Sequence, residues 1–131
     1  MKSKPKIKIK TTKGDKLIES SAWLLLIVIW SMTFYDYLRL PDIIPTHYND
    51  IGMADGFSKK SMIFNLPLIA TFLFIVLTIL NNFPHIFNYP TQITEDNALH
   101  QYTRATRTMR ALKVIVLILL GYNYYVSLNG I

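Results

Sequence analysis

The stretch Leu66-Pro-Leu-Ile-Ala-Thr-Phe-Leu-Phe-Ile-Val-Leu-Thr-Ile-Leu80 is apolar on every face. It lies within a window, Ser61 to Pro84, that holds no Asp, Glu, Lys, Arg or His. A helix needs about 20 mostly apolar residues to cross the hydrocarbon of a bilayer, with about 17 as a practical minimum. This window meets that length by itself. A buried helix of a small soluble domain would carry a polar stripe, and the stretch shows little of one. Working outward, two more windows lack charge: Ser20 to Tyr35 and Val114 to Ile131. The first spans when Leu17, Ile18, Tyr37 and Leu38 are included, with Glu19 and Asp36 at the interfaces. The third, counted from Ala111 or Leu112, is just sufficient.

The expected fold is therefore an all-α integral membrane protein with three transmembrane helices, at about 17–38, 61–83 and 111–129. Trp23, Trp30, Phe34, Tyr35 and Tyr37 lie toward the ends or outer half of the first span, and Tyr122, Tyr124 and Tyr125 toward the end of the third. Amphipathic rings favour such interfacial positions. A cleaved signal peptide does not fit the first span. Its basic region is too long and no small-x-small site follows, so it reads as a signal anchor.

Composition agrees and excludes other classes. The chain has 131 residues, 51% hydrophobic and 17% charged, and no cysteine. A disordered chain would be far less apolar, and a disulfide scaffold or Cys-based zinc module needs cysteines. The net charge of +6 comes from 14 Lys+Arg against 8 Asp+Glu, and its placement is informative. The tail, residues 1–16, holds seven lysines. The first loop, 39–60, holds Arg39, Lys59 and Lys60. The second, 84–110, carries Arg104, Arg107 and Arg110, with Lys113 following.

Lys and Arg are retained on the cytoplasmic side. The tail and second loop are thus expected in the cytoplasm, and the first loop and C-terminus outside. The tail reads as a solvated topology determinant that also suits anionic headgroups. It has no folded basic face or stacking aromatics of the kind nucleic-acid binding needs, so no nucleic-acid partner is expected.

The first loop carries the chemistry. Pro41 and Pro45 block helix continuation, and Gly52 and Gly56 permit tight turns with positive φ. Leu40, Ile43, Ile44, Ile51, Met53 and Phe57 are too apolar for a free linker. A compact ordered loop folded over the outer helix ends is expected, with Ser58 as N-cap of the second span. Asp42, His47, Asn49, Asp50 and Asp55 fall close together. Asp42 and Asn49 suit turns held by side-chain-to-backbone hydrogen bonds, with His47 satisfying a backbone carbonyl. Recognition of an outside ligand is a second reading. A third is a divalent metal held by His47, Asp42 and Asp55, although no HExxH or paired-His motif is present.

The string Leu-Pro-Asp-x-x-Pro-x-His-x-Asn-x-x-Gly-x-x-Asp-x-x-x-x-Lys, Leu40 to Lys60, resembles the signature of a bacterial membrane domain. That domain forms the N-terminal part of SdpI-type immunity proteins and also occurs alone in small membrane proteins. The resemblance covers the first span, the loop and the second span, and extends more weakly to the Arg-rich segment before the third. It implies a non-enzymatic membrane protein, without a cofactor, that gives tolerance to a secreted toxin or acts in signalling. Asp42, Pro45, His47, Asn49, Gly52 and Asp55 would then shape the surface that meets an extracytoplasmic peptide or a membrane-protein partner. A structural or accessory subunit of a larger membrane complex and a metal-dependent membrane enzyme are the alternatives.

The second loop begins irregularly, with Pro84, Asn88 and Pro90. Thr94 then suits an N-cap, with Glu95 and Asp96 at the positive end of the helix dipole. Ala98, Tyr102, Ala105, Met109 and Leu112 share one face, and His100, Arg104 and Arg107 another, followed by Arg110. This pattern reads as a cytoplasmic amphipathic helix before the third span, whose Arg104, Arg107 and Arg110 meet lipid phosphates. No ionisable residue is expected in mid-membrane, as proton relays and ion-coupled transporters usually require.

Overall fold

Residues 3–129 are described by a computed structural model. Helix α1, Lys13–Arg39, starts on a capping box. Thr12 Oγ1 accepts from the Asp15 amide at 3.1 Å and Asp15 Oδ2 accepts from the Thr12 amide at 2.8 Å, so two otherwise orphaned donors are satisfied. The helix stops at Leu40, which is extended because a residue before proline is driven out of the helical region. A hairpin follows, β1 Ile43–Tyr48 and β2 Ala54–Lys59, then a 3-10 turn at Lys60–Phe64 leading into α2, Asn65–Leu80. A second 3-10 turn, Pro84–Ile86, precedes α3, Glu95–Asn129.

Three helices are long and apolar enough to cross a membrane: α1, α2 with its 3-10 lead, and α3. In α1 the buried positions are Asp15, Ala22, Leu26, Ile29, Thr33 and Asp36. In α3 they are Ala98, Tyr102, Thr106, Lys113, Leu117 and Tyr124. Steps of three, four and seven residues keep these positions on one face of each helix. The central core joins Ala22, Leu26 and Ile29 to Ala70, Phe74 and Leu117. Small residues bring the backbones close: Ala22 and Ala70 are fully buried, and a Cβ on Gly121 would sit 3.5 Å from Ile29 Cγ1.

The surface is far more apolar than a soluble protein's, and several polar or charged side chains lie inside. Leu24, Ile27, Ile69, Phe72, Ile118 and Leu119 are exposed, whereas Asp15, Thr33, Asp36, Thr106 and Lys113 are buried. The buried charges are all paired, as buried charge requires: Asp15 with Arg107 and Arg110, Asp36 with Arg39, and Lys113 with Glu19. Helices in lipid expose apolar residues at no cost and join through small and hydrogen-bonding ones. Trp30 Nε1 donates across to Thr71 Oγ1 at 2.9 Å, and Thr33, Thr71 and Thr106 each donate back to the carbonyl four residues earlier.

Four expectations are corrected. The fold is mostly helical but not all-α, because the first loop forms a two-stranded antiparallel sheet. Ser58 belongs to β2 rather than capping α2; the 3-10 turn delivers the chain into the helix with no side-chain cap. The helix expected before the third span does run into that span, α3 being unbroken from Glu95, and it is the expected apolar face that shifts. Thr94 does cap it, with Asn97 as its reciprocal partner. Its buried face passes through Thr106 and Lys113, leaving Leu112 exposed. Finally, the tail is docked at its start, through Lys4 and Pro5, while Lys6, Lys8 and Lys10 remain exposed. Lys4 Nζ donates to the Phe87 carbonyl at 2.5 Å, and Tyr102 Oη donates to the Pro5 carbonyl at 2.8 Å. Tyr89 lies under Lys4 and beside Tyr102, and burial, with Tyr102 next to it, pushes its phenol up to about 12.

Candidate functional site

The hairpin places most of the residues picked out in the first loop. Ile43 faces Lys59, Ile44 faces Ser58, Pro45 faces Phe57, His47 faces Gly56 and Tyr48 faces Ala54, with irregular register after Pro45 and after His47. Pro45 has no amide proton, and a bulged position on an edge strand tolerates that loss. Asn49 builds the turn. Its Oδ1 accepts from the amides of Ile51 at 3.1 Å and Met53 at 2.9 Å, and its own amide donates to the Met53 carbonyl at 2.9 Å. Gly52 completes the turn at φ 79°, a conformation that costs a residue with a Cβ.

Gly56 has a different reason to be glycine. It is not at positive φ; a Cβ there would stand 2.8 Å from His47 Cβ. His47 Nδ1 pairs with Asp55 Oδ1 rather than with a backbone carbonyl. Both side chains remain open to solvent, at 72% and 44% exposure. Asp42 stands apart at the hairpin base. Its carboxylate is solvated and 3.4 Å from Lys60 Nζ, and its carbonyl accepts from the Lys60 amide at 2.9 Å. The trio Asp42, His47 and Asp55 is therefore not brought together. Among the described residues, no three or more His, Cys, Asp or Glu side chains gather as a metal site.

The hairpin base is anchored. Ile44 is buried with Ile63 and Tyr124, and Met32, Tyr37, Leu40 and Phe64 pack around them. Lys60 Nζ lies 4.7 Å over the Tyr37 ring, a favourable cation–π geometry. Beneath, Tyr124 Oη donates to Asp36 Oδ2 at 3.0 Å and Arg39 Nε donates to Asp36 Oδ1 at 2.8 Å. Between β1, the start of α2 and the end of α3 lies an open cleft of about 580 Å³. Ile44, Tyr48, Met62, Leu66, Ile69 and Tyr124 contribute to its mainly apolar wall. Apart from the excess apolar character of the loop, no local signal marked this cleft, because its walls come from three separated segments. Ile51 and Met53 at the hairpin tip and Phe57 in β2 expose their apolar side chains.

At the opposite end of the bundle, the three arginines occupy three environments. Arg104 is exposed. Arg107 Nε lies 3.3 Å from Asp15 Oδ1 and remains half exposed. Arg110 Nη1 lies 3.6 Å from the same oxygen with only 12% of its side chain exposed. One turn further, buried Lys113 donates to Glu19 Oε1 at 2.5 Å and to Thr78 Oγ1 at 2.9 Å.

A family model described as a domain of unknown function, DUF1648, matches residues 24–71. The match runs from α1 through the entire hairpin into α2, so it contains the Leu40 to Lys60 string. No curated protein matches, and no solved structure matches.

Proposed function

We propose that the chain is a non-enzymatic, multi-pass protein of the bacterial cytoplasmic membrane, of the SdpI-like type. Its hairpin end recognises an extracytoplasmic toxin peptide or envelope signal. The observation that carries this reading is the anchored hairpin standing over an apolar cleft of about 580 Å³. Ligand sites are typically concave and mostly apolar, with a few polar groups that fix orientation. Here the cleft takes apolar side chains, while Thr46, Asn65 and Ser127 supply polar contacts at its wall. Asn49, Gly52 and the His47–Asp55 pair hold the hairpin's shape.

The excess of lysine and arginine supports a cytoplasmic N-terminus and 84–110 loop, with the hairpin outside. The match at residues 24–71 supports treating helix, hairpin and helix as one unit. In a test, the gene is deleted and cells are challenged with membrane-active peptides. Deletion raises sensitivity, the wild-type chain restores tolerance, and Asn49→Ala and His47→Ala restore it less well. Unchanged sensitivity in the deletion strain and in both variants refutes the reading.

A further inference from the structure

At the N-terminal end of the bundle, a cavity of about 150 Å³ lies between α1, the end of α2 and the middle of α3. Lys16, Glu19, Asn81, Arg110 and Lys113 line it. Lys113 is engaged by Glu19 and Thr78, leaving Lys16 and Arg110 as the cations that face a ligand. Arg110 Nη1 is buried and donates no hydrogen bond among the described residues. Asp15 at 3.6 Å attracts it but is too far for a good hydrogen bond. Asn81 Nδ2 donates to the Thr106 carbonyl at 3.3 Å, whereas its Oδ1 is buried and accepts nothing among the described residues. Native proteins pair the large majority of buried polar atoms. Here one orphaned donor and one orphaned acceptor belong to residues lining the same small cavity.

The level of the cavity is informative. Lys16 immediately precedes the first apolar stretch, Asn81 is the C-cap of α2, and Arg110 immediately precedes the third stretch. In a bilayer this boundary is where lipid phosphates lie. We propose that the cavity binds the phosphodiester of an anionic phospholipid with a hydroxylated headgroup. The phosphate oxygens accept from Arg110 and Lys16, and a headgroup hydroxyl donates to Asn81 Oδ1. Phosphate forms strong charge-assisted bonds with arginine, and basic pockets between transmembrane helices on the cytoplasmic side select anionic headgroups. A choline headgroup has no donor for Asn81. The assignment does not depend on what the hairpin recognises.

The test uses the full chain in detergent micelles, titrated with short-chain phosphatidylglycerol, short-chain phosphatidylcholine or inorganic phosphate. Bound ligand is read by native mass spectrometry. Phosphatidylglycerol binds at one site, up to about tenfold tighter than phosphatidylcholine, as the one added hydrogen bond from its headgroup hydroxyl to Asn81 Oδ1 would give. Lys16→Gln and Asn81→Leu each weaken it several-fold, and Lys59→Gln at the hairpin leaves it unchanged. Lys16 is exposed, so its variant tests the site even if Asn81→Leu fails to fold. Equal affinity for the two lipids, or indifference to Lys16→Gln, overturns the proposal. Displacement of phosphatidylglycerol by equimolar inorganic phosphate overturns the lipid assignment and makes a soluble phosphate the occupant.

Discussion

Breaking the Glu19–Lys113 pair should have unequal consequences depending on which partner is removed. Lys113 is 3% exposed, and its ammonium touches Glu19 Oε1, Thr78 Oγ1 and, at 4.5 Å, the face of Phe74. Glu19 retains 30% side-chain exposure. Removing one member of a fully buried pair costs about 3–5 kcal/mol, because the other charge is left without compensation. In Glu19→Gln the ammonium keeps a hydroxyl, an aromatic face and a neutral amide, and water reaches the Glu19 side. Discounted for that exposure, the expected loss is about 2–3 kcal/mol. In Lys113→Met the stranded carboxylate sits at the rim and rehydrates, so the loss is about 1 kcal/mol. The double variant Glu19→Leu with Lys113→Met lies within about 1 kcal/mol of wild type, because apolar replacement of both partners removes the desolvation cost together with the attraction.

Equilibrium unfolding of the purified chain in micelles measures all of these. Trp23 packs edge-on against Phe74 with ring centroids 4.7 Å apart, so its fluorescence reports the adjacent packing. A larger loss for Lys113→Met than for Glu19→Gln refutes the burial argument. So does a double variant that costs the sum of the singles, since additivity means the two groups are not coupled.

Two further outcomes concern the hairpin end. Gly56→Ala forces a Cβ into His47 and should destabilise the hairpin by about 1–3 kcal/mol, the usual range for overpacking; faster amide hydrogen exchange across Tyr48–Phe57, with the helix cores unchanged, is the readout. Tyr124→Phe removes the donor to buried Asp36 and should cost about 1.5–3 kcal/mol, whereas Tyr125→Phe, at an exposed position, should stay within about 0.5 kcal/mol of wild type in the same unfolding assay.

The three apolar helices were legible because crossing length is a property of composition along a single segment. The strands were not, and the reason is local. Ile43-Ile-Pro-Thr-His-Tyr48 does not alternate cleanly and contains a proline, both of which argue against a strand. What makes it one is the turn: Asn49 satisfying two amides and Gly52 supplying positive φ. Both turn residues were visible in the sequence, but their partners were not. Gly56 was recognisable as a special position for the wrong reason, since the close approach of His47 appears only once the strands pair.

The entry of the Arg-rich helix into the third span was legible, because no proline or glycine interrupts the chain near Ala111. Tyr122, Tyr124 and Tyr125 looked equivalent as a belt. Tertiary packing then buried only Tyr124, over Asp36. The ion pairs of Arg107 and Arg110 with Asp15 join residues more than ninety positions apart, and no local pattern encodes them.

At 1.5 Å per residue, the 35 residues of α3 form a rod about 52 Å long. The hydrocarbon core is about 30 Å thick. Several turns therefore extend beyond the bilayer as a stiff continuation of the span, with no proline anywhere along them. Tyr124 and Leu128 line the cleft at one end, while Tyr102 holds the docked tail near the other. One continuous helix therefore joins the cleft to the docked tail, with no proline hinge to uncouple its two ends.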